Sequence, residues 1–392
     1  MPCRGTARQF AALRAGLRPI GSPAAPNPRN SLQTGKATIP VVIGPFPDPV
    51  HGMSVITARL AEDIGRRGLP CERINLSPGR WTRGLSYHAV RAVRMGLGTV
   101  RILMAPGRHR YVMNVDAGLG LIYNIALALA VRITGQAVLL YHHSTRYVLA
   151  PSRLMRILLA TAGRGAPQVF CSVNMAALFR AQYGTTGPVI IINNAAWVER
   201  AGAAAPLAGH GKLRLGFLSN LIAEKGVGRA IETLAEARKR GLDAELVMAG
   251  AATDVQVRAV VTEAERTFGG NFLYRGPLQG GEKRDFYAAL DFFLFPSLYA
   301  NETQSLVVPE ALAAGTPVIA YDHRFVGEVL GDGGLLVGAG EDFAVRAVDW
   351  IAARQDQAAR DVLRARARAQ FEKERAQAEG QIDCLIAWVC GG

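Results

Sequence analysis

Between Leu213 and Phe295, apolar runs of strand length (Leu213 to Leu218, Ala244 to Ala249, Asn271 to Arg275, Phe292 to Phe295) alternate with segments of helical period (Gly228 to Arg240, Val255 to Phe268, Glu282 to Leu290). Strands separated by helices cannot pair through tight hairpins, so the pattern predicts an α/β chain with a parallel, doubly wound sheet. The first half carries a similar series. Ile39 to Gly44, Thr99 to Met104, Ala137 to Tyr141, Gln168 to Ser172 and Val189 to Ile192 have strand length, and Val55 to Arg67, Ala117 to Thr134 and Asn174 to Tyr183 have helical patterns. Ala201 to Gly211, rich in Ala and Gly and nearly uncharged, has the composition of a linker. A chain of 392 residues exceeds the size at which one core stops growing. Two domains, 38–200 and one beginning at 212, are therefore expected.

Charge divides along the same line. Residues 1–200 carry 24 Lys+Arg against 6 Asp+Glu, a net +18, whereas residues 201–392 carry 21 against 25, a net −4. A basic half suits nucleic acid, anionic lipid or an anionic substrate. Its cations are nearly all Arg without interleaved aromatics and no nucleic-acid module is recognisable, so no nucleic-acid partner is expected. The cysteines, at 3, 71, 171, 384 and 390, lack C-x-x-C pairing or ligand-spaced His, which points to thiols of a reducing compartment and to no zinc site. The longest apolar run, Ala117 to Val131, stops at Arg132 and falls short of the ~20 residues a spanning helix needs. Residues 1–37 have no acidic residue and no signal-type apolar core, and are expected to form a disordered basic leader.

The chemistry concentrates in Phe295-Pro-Ser-Leu-Tyr-Ala-Asn-Glu302-Thr-Gln-Ser-Leu-Val-Val-Pro-Glu310 and its continuation to Ala320. The order is strand, loop, helix, strand: Pro-Ser stops the run Phe292 to Phe295, and Gly315 with Pro317 closes the run Leu306 to Ala314. Glu302 then lies in the loop at a strand's carboxyl end and Glu310 on the following helix, with the amides of Thr303, Gln304, Ser305 and Leu306 at its positive end. Anions bind such ends, and carboxylates accept hydrogen bonds from hydroxyls, so a phosphorylated sugar ligand matches the set. A Glu at this place also serves as a plain first-turn charge.

This segment resembles the paired-glutamate signature of family 4 retaining glycosyltransferases of the GT-B fold, with Pro-Ser, Glu302, seven residues, Glu310-Ala and Gly-x-Pro-Val. In weaker form the resemblance runs from Ile39 to the C-terminus. It implies two Rossmann-like domains facing a central cleft. The donor domain would span 212–379, and residues 380–392, with Gly380 to Val389 as a helix, would cross back onto the first domain. It implies transfer of a sugar from a nucleotide diphosphate sugar, as co-substrate rather than cofactor, with retention at the anomeric carbon. Glu302 falls to the donor sugar hydroxyls, Glu310 to the ribose and Lys225 to the diphosphate. Gly216-Phe-Leu-Ser-Asn220-Leu-Ile-Ala-Glu-Lys225-Gly226 resembles the family's Gly-Arg-Leu...Lys-Gly element. Asn220 stands where the family usually has Arg, leaving Arg229 or Arg275 as candidate replacements. His142 and His143 follow a strand; successive side chains diverge, so at most one points into the cleft, and the resemblance implies that a His at this strand end contacts the donor sugar. His51-Gly52-Met53-Ser54 resembles the family's Gly-Gly turn, with Gly52 allowing close backbone approach.

No D-x-D occurs in the chain, so a metal-independent enzyme is expected. The Gly118-Leu-Gly120 and Gly226-Val-Gly228 pieces lack the dinucleotide fingerprint, and no G-x-S-x-G supports a hydrolase. Two other readings share the fold: a catalytically silent protein that binds nucleotide sugars, favoured by Asn220 and Thr303, and a nucleotide-sugar epimerase. The acceptor is expected to be a saccharide or lipid-linked saccharide used in polysaccharide or glycolipid synthesis. The protein is expected in the cytoplasm, docked on anionic membrane through Arg80, Arg83, Arg91, Arg94, Arg101, Arg108 and Arg110.

Overall fold

The computed structural model describes residues 38–79, 84–200 and 211–391. The leader, linker residues 201–210, Arg80 and Arg83 lie outside them. The chain divides into two compact units, one formed by residues 1–193 and 377–392 and the other by residues 194–376.

Each unit contains a six-stranded sheet whose neighbouring strands all run parallel. In the first unit the strands are β1 (Ile39–Gly44), β2 (Glu72–Asn75), β3 (His109–Val115), β4 (Ala137–His142), β5 (Gln168–Phe170) and β6 (Val189–Ile191), ordered β2-β1-β3-β4-β5-β6. In the second they are β7 (Leu213–Leu218), β8 (Ala244–Ala249), β9 (Phe272–Tyr274), β10 (Phe292–Phe295), β11 (Val318–Tyr321) and β12 (Gly334–Val337), ordered β12-β11-β10-β7-β8-β9. The central strands are mostly apolar, as suits a parallel sheet buried on both faces; Phe292 to Phe295 and Ala244 to Ala249 are buried at every position, including Glu245, which pairs with Arg214. One apolar cluster lies around Leu215, Phe217, Met248 and Phe343, and another around Phe293, Val308, Leu312 and Phe371.

In such sheets ligands bind beyond the carboxyl ends of the strands where the winding reverses. In the second unit that place lies between β7 and β10, flanked by the loops after these strands, which contain Lys225 and Glu302. In the first it lies between β1 and β3.

The expected strand Thr99 to Met104 is instead the last turns of the helix Gly84–Met104. Six apolar residues are too few to separate the two periods, and the true strand β3 follows, disguised by starting His-Arg. Strand β2 is an edge of four residues with only Ile74 buried, which gives no apolar run to detect. The helix after Glu302 is Val307–Ala313, and the final helix is far longer than Gly380 to Val389, running Gln357–Val389.

Candidate active site

Lys225 closes a single 3-10 turn after β7, and Gly226 follows at φ 88°, in the left-handed region that favours glycine. A Cβ at Gly226 would stand 2.4 Å from the Pro296 carbonyl oxygen, so glycine is what lets the β7 and β10 loops touch. That closeness brings the Lys225 ammonium onto Glu302 Oε2 as an ion pair, with Ser297 Oγ donating to the same oxygen at 3.1 Å. The ammonium also lies 4.8 Å from the centre of the Tyr299 ring. Glu302 is buried, with 8 % of its surface exposed, and Lys225 is partly covered. A buried carboxylate needs such partners.

Two residues after β11, His323 Nε2 meets the Tyr299 carbonyl oxygen at 3.3 Å. Burial and the Arg324 cation lower its pKa, opposed by that carbonyl and by the Glu302 and Asp322 charges, which leaves the ring neutral near pH 7. Arg324 itself is exposed and has φ 59°, the only positive φ of a non-glycine among the described residues. Lys225, Ser297, Tyr299, Glu302 and His323 thus converge at the carboxyl ends of β7, β10 and β11. Sequence reasoning missed Ser297, Tyr299, His323 and Arg324; the positive φ left no trace in the residue type.

Glu310, on the helix Val307–Ala313, takes Lys283 Nζ at 2.6 Å and the Tyr287 hydroxyl at 3.0 Å. Burial and the Glu310 charge keep that phenol protonated. The helix begins only at Val307 with Leu306 as its N-cap, so Thr303, Gln304 and Ser305, expected at its start, lie in the loop before it, and the Gln304 side chain is committed elsewhere, accepting the Asn194 N–H at 2.6 Å. Asn220 is exposed after β7 and brings no charge.

The expected substitutes for a cation at 220 fare differently. Arg229 is half-buried with its guanidinium 5.6 Å from the Tyr321 ring centre. Arg275 leaves the cluster: it follows β9, the edge strand two places from β7, and lies beside Leu278, Glu282 and Asp285 in a cavity of about 330 Å³.

In the first unit the two histidines separate as the alternation requires. His142 is withdrawn from any catalytic role. It is wholly buried, stacked at 4.5 Å on Phe170, with Nε2 2.6 Å from Gln168 Oε1 and Nδ1 3.1 Å from the Tyr147 hydroxyl. Because Gln168 Nε2 donates to the Ala166 carbonyl, its Oε1 is an acceptor, and His142 carries its proton on Nε2. Burial pushes its pKa down to about 4, despite the Gln168 bond. His143 points the other way, half-buried over Tyr141, with Nε2 2.6 Å from Asn114 Oδ1. Asn114 Nδ2 donates to the Ile43 carbonyl, so its Oδ1 accepts from His143 Nε2–H, and Nδ1 remains as a hydrogen-bond acceptor. Burial, with the His142 and His51 imidazoles nearby, lowers the His143 pKa to about 3.

Gly52 opens the helix Gly52–Arg66, whose cap is reciprocal: His51 Nδ1 accepts from Ser54 N–H at 3.3 Å and Ser54 Oγ from His51 N–H at 3.0 Å. Apart from its chain neighbours and its own helix backbone, nothing lies within 4 Å of a Cβ placed on Gly52, so the fold itself does not demand glycine there. At the same winding reversal, unpredicted, Asp116 pairs with Arg91 at 2.7 Å and its N–H donates to Asn124 Oδ1. Burial raises the Asp116 pKa and Arg91 opposes this.

Among the described residues no three His, Cys, Asp or Glu side chains cluster as a metal site, and no disulfide joins Cys71, Cys171, Cys384 or Cys390.

A glucosyltransferase of Streptomyces kanamyceticus acting on 2-deoxystreptamine is 34% identical over 125 residues, 32% of this chain and 31% of that protein. The chain thus matches under a third of that relative's length. A glycosyltransferase from Rickettsia africae superposes with TM-score 0.68 at 13% identity, covering 91% of this chain and 98% of that one. Anabaena Alr3699/HepE, solved with UDP-glucose, superposes with TM-score 0.61 at 15% identity over 89% and 98%. The two parallel six-stranded sheets are therefore those of the GT-B glycosyltransferase structures, and residues 212–353, which hold Lys225, Glu302 and Glu310, match the family described as Glycosyl transferases group 1.

Proposed function

We propose that the protein is a retaining glycosyltransferase that takes a sugar from a nucleotide diphosphate donor bound in the second unit. The observation that supports this most is the Lys225–Glu302 pair at the winding reversal of a unit matching group 1 glycosyl transferases. Lys225 and the amides before Val307 meet the diphosphate, Glu302 accepts from the donor sugar hydroxyls, and Glu310, oriented by Lys283 and Tyr287, accepts from the ribose. The anomeric C–O bond breaks toward the nucleoside diphosphate. The acceptor oxygen bonds to the same face of that carbon, and its proton passes to the departing phosphate oxygen. Catalysis then rests on stabilising the leaving group, with no protein nucleophile and no divalent metal. The acceptor is a saccharide, carried on a lipid at an anionic cytoplasmic membrane surface during polysaccharide or glycolipid assembly.

A thermal-shift panel of UDP, GDP, ADP and their sugars tests the donor site, because a ligand that binds only the folded state raises the melting temperature. Stabilisation by a nucleotide sugar, lost in Glu310→Ala and Lys225→Ala, is expected. Binding without turnover in the presence of acceptors would favour a silent binding protein instead. Release of a new sugar nucleotide without acceptor would favour an epimerase. Activity in EDTA is expected to match that without it.

A further inference from the structure

We infer that three neighbouring helices of the first unit form a membrane-insertion face for anionic bilayers. They are Gly84–Met104, Leu121–Ile133 and Arg153–Ala162, the middle one packing against both others. This deepens the acceptor side of the reading above, on which it rests for its purpose, while its geometry belongs to the first unit alone.

The middle helix is apolar on both faces. Leu121, Leu127, Ala128 and Val131 are buried inward, yet Ile122, Leu129 and Ile133 are exposed at the spacing of one helical stripe, Ile133 by 68 %. A helix hydrophobic all round is ordinarily covered all round. On Gly84–Met104, Val93, Leu97, Val100, Leu103 and Met104 repeat the pattern, with Leu97 66 % and Met104 77 % exposed. Ile157 is likewise exposed on Arg153–Ala162, the helix packed on the other side of Leu121–Ile133. Single exposed apolar side chains mean little, but contiguous stripes on adjacent helices mark an interaction surface.

Charge identifies the occupant. No carboxylate lies on any of the three helices, and between Glu72 and Glu199 the chain has one, Asp116, already paired with Arg91. Arg153 and Arg156 are exposed beside Ile157. Two copies of such a surface would repel, whereas anionic headgroups would accept the arginines while the stripes enter the acyl boundary. No described helix is long and apolar enough to cross a membrane, so the face lies on the bilayer. The arginines expected to do this work are largely engaged within the protein. Arg91 holds Asp116, Arg94 donates to the Ser77 carbonyl, Arg101 holds Glu72, and Arg110 donates to the Trp388 carbonyl. Attachment is therefore carried mainly by apolar side chains.

Vesicle flotation of the full chain decides. The wild type should float with phosphatidylglycerol vesicles far more than with phosphatidylcholine, and should keep part of that binding at about 1 M salt, where the screening length is about 3 Å. Replacing Leu97, Leu129 and Ile133 together by Ser should lower partitioning by about tenfold or more while leaving the nucleotide thermal shift unchanged. Arg153→Gln with Arg156→Gln should remove only the salt-sensitive part. Undiminished flotation of the triple variant, no flotation of the wild type, or a wild-type dimer that the triple variant converts to monomer would each overturn the inference. Flotation without any nucleotide shift would overturn only the donor reading.

Discussion

Glu302 and Lys225 neutralise each other in the described structure, so each substitution has two readouts. Lys225→Ala leaves a buried carboxylate without its cation, and a stability loss of about 1–3 kcal/mol by chemical denaturation is expected, together with loss of nucleotide stabilisation. On the proposed reading, Glu302→Ala removes the acceptor for sugar hydroxyls but frees Lys225 for phosphate. Its turnover should fall by about 100-fold while nucleoside diphosphate binding is kept or tightened, measured by initial rates and thermal shift. Full activity of that variant in a transfer assay would refute the assignment. Arg324 holds a left-handed conformation that costs roughly 1–2 kcal/mol in a non-glycine residue. Arg324→Gly relieves that strain but loosens the unfolded chain, so its melting temperature should stay close to the wild type. A drop in donor affinity in that variant would show that its guanidinium supplies the cation missing at Asn220; unchanged affinity would remove it from the site.

At the level of elements, the tight crossing of the β7 and β10 loops depends on Gly226. Gly226→Ala forces a left-handed alanine and a clash with Pro296, and should weaken donor binding by at least about tenfold, checked by titration calorimetry. Strand β4 carries a pH dependence through His142. Its folded pKa of about 4 lies below the ordinary 6.5, so the unfolded chain binds more protons between those values. The stabilisation is fully present above about pH 6.5 and is lost as pH falls toward 4. Melting temperature should therefore decline over that window, and the His142→Phe variant should show a flatter profile. The sequence made the long strands and the Glu302 loop legible because β10 is an unbroken apolar run, and β7 and β8 are each interrupted by a single charge, Arg214 and Glu245, between helices. It concealed β2 and β3, whose ends are polar. It could not show which histidine faces outward, because that follows from one residue of register, or that His323 joins Tyr299 and Glu302, because it follows β11 while they follow β10.

For the whole molecule, the first unit is completed by its last residues. Ile382, Leu385 and Val389 are buried, Arg67 pairs with Asp383 at 2.7 Å, and Gln381 accepts from the Ile191 N–H. Truncation after residue 376 should therefore destabilise the first unit, seen as a separate early transition in calorimetry, while the nucleotide shift of the second persists.

That closure sets an order of events during synthesis. The second unit is an insertion within the first, so residues 194–376 are synthesised, and emerge, ahead of the segment that finishes their host. The host must wait, with the apolar ground of its closing helix uncovered, until the final turns of Gln357–Val389 leave the tunnel.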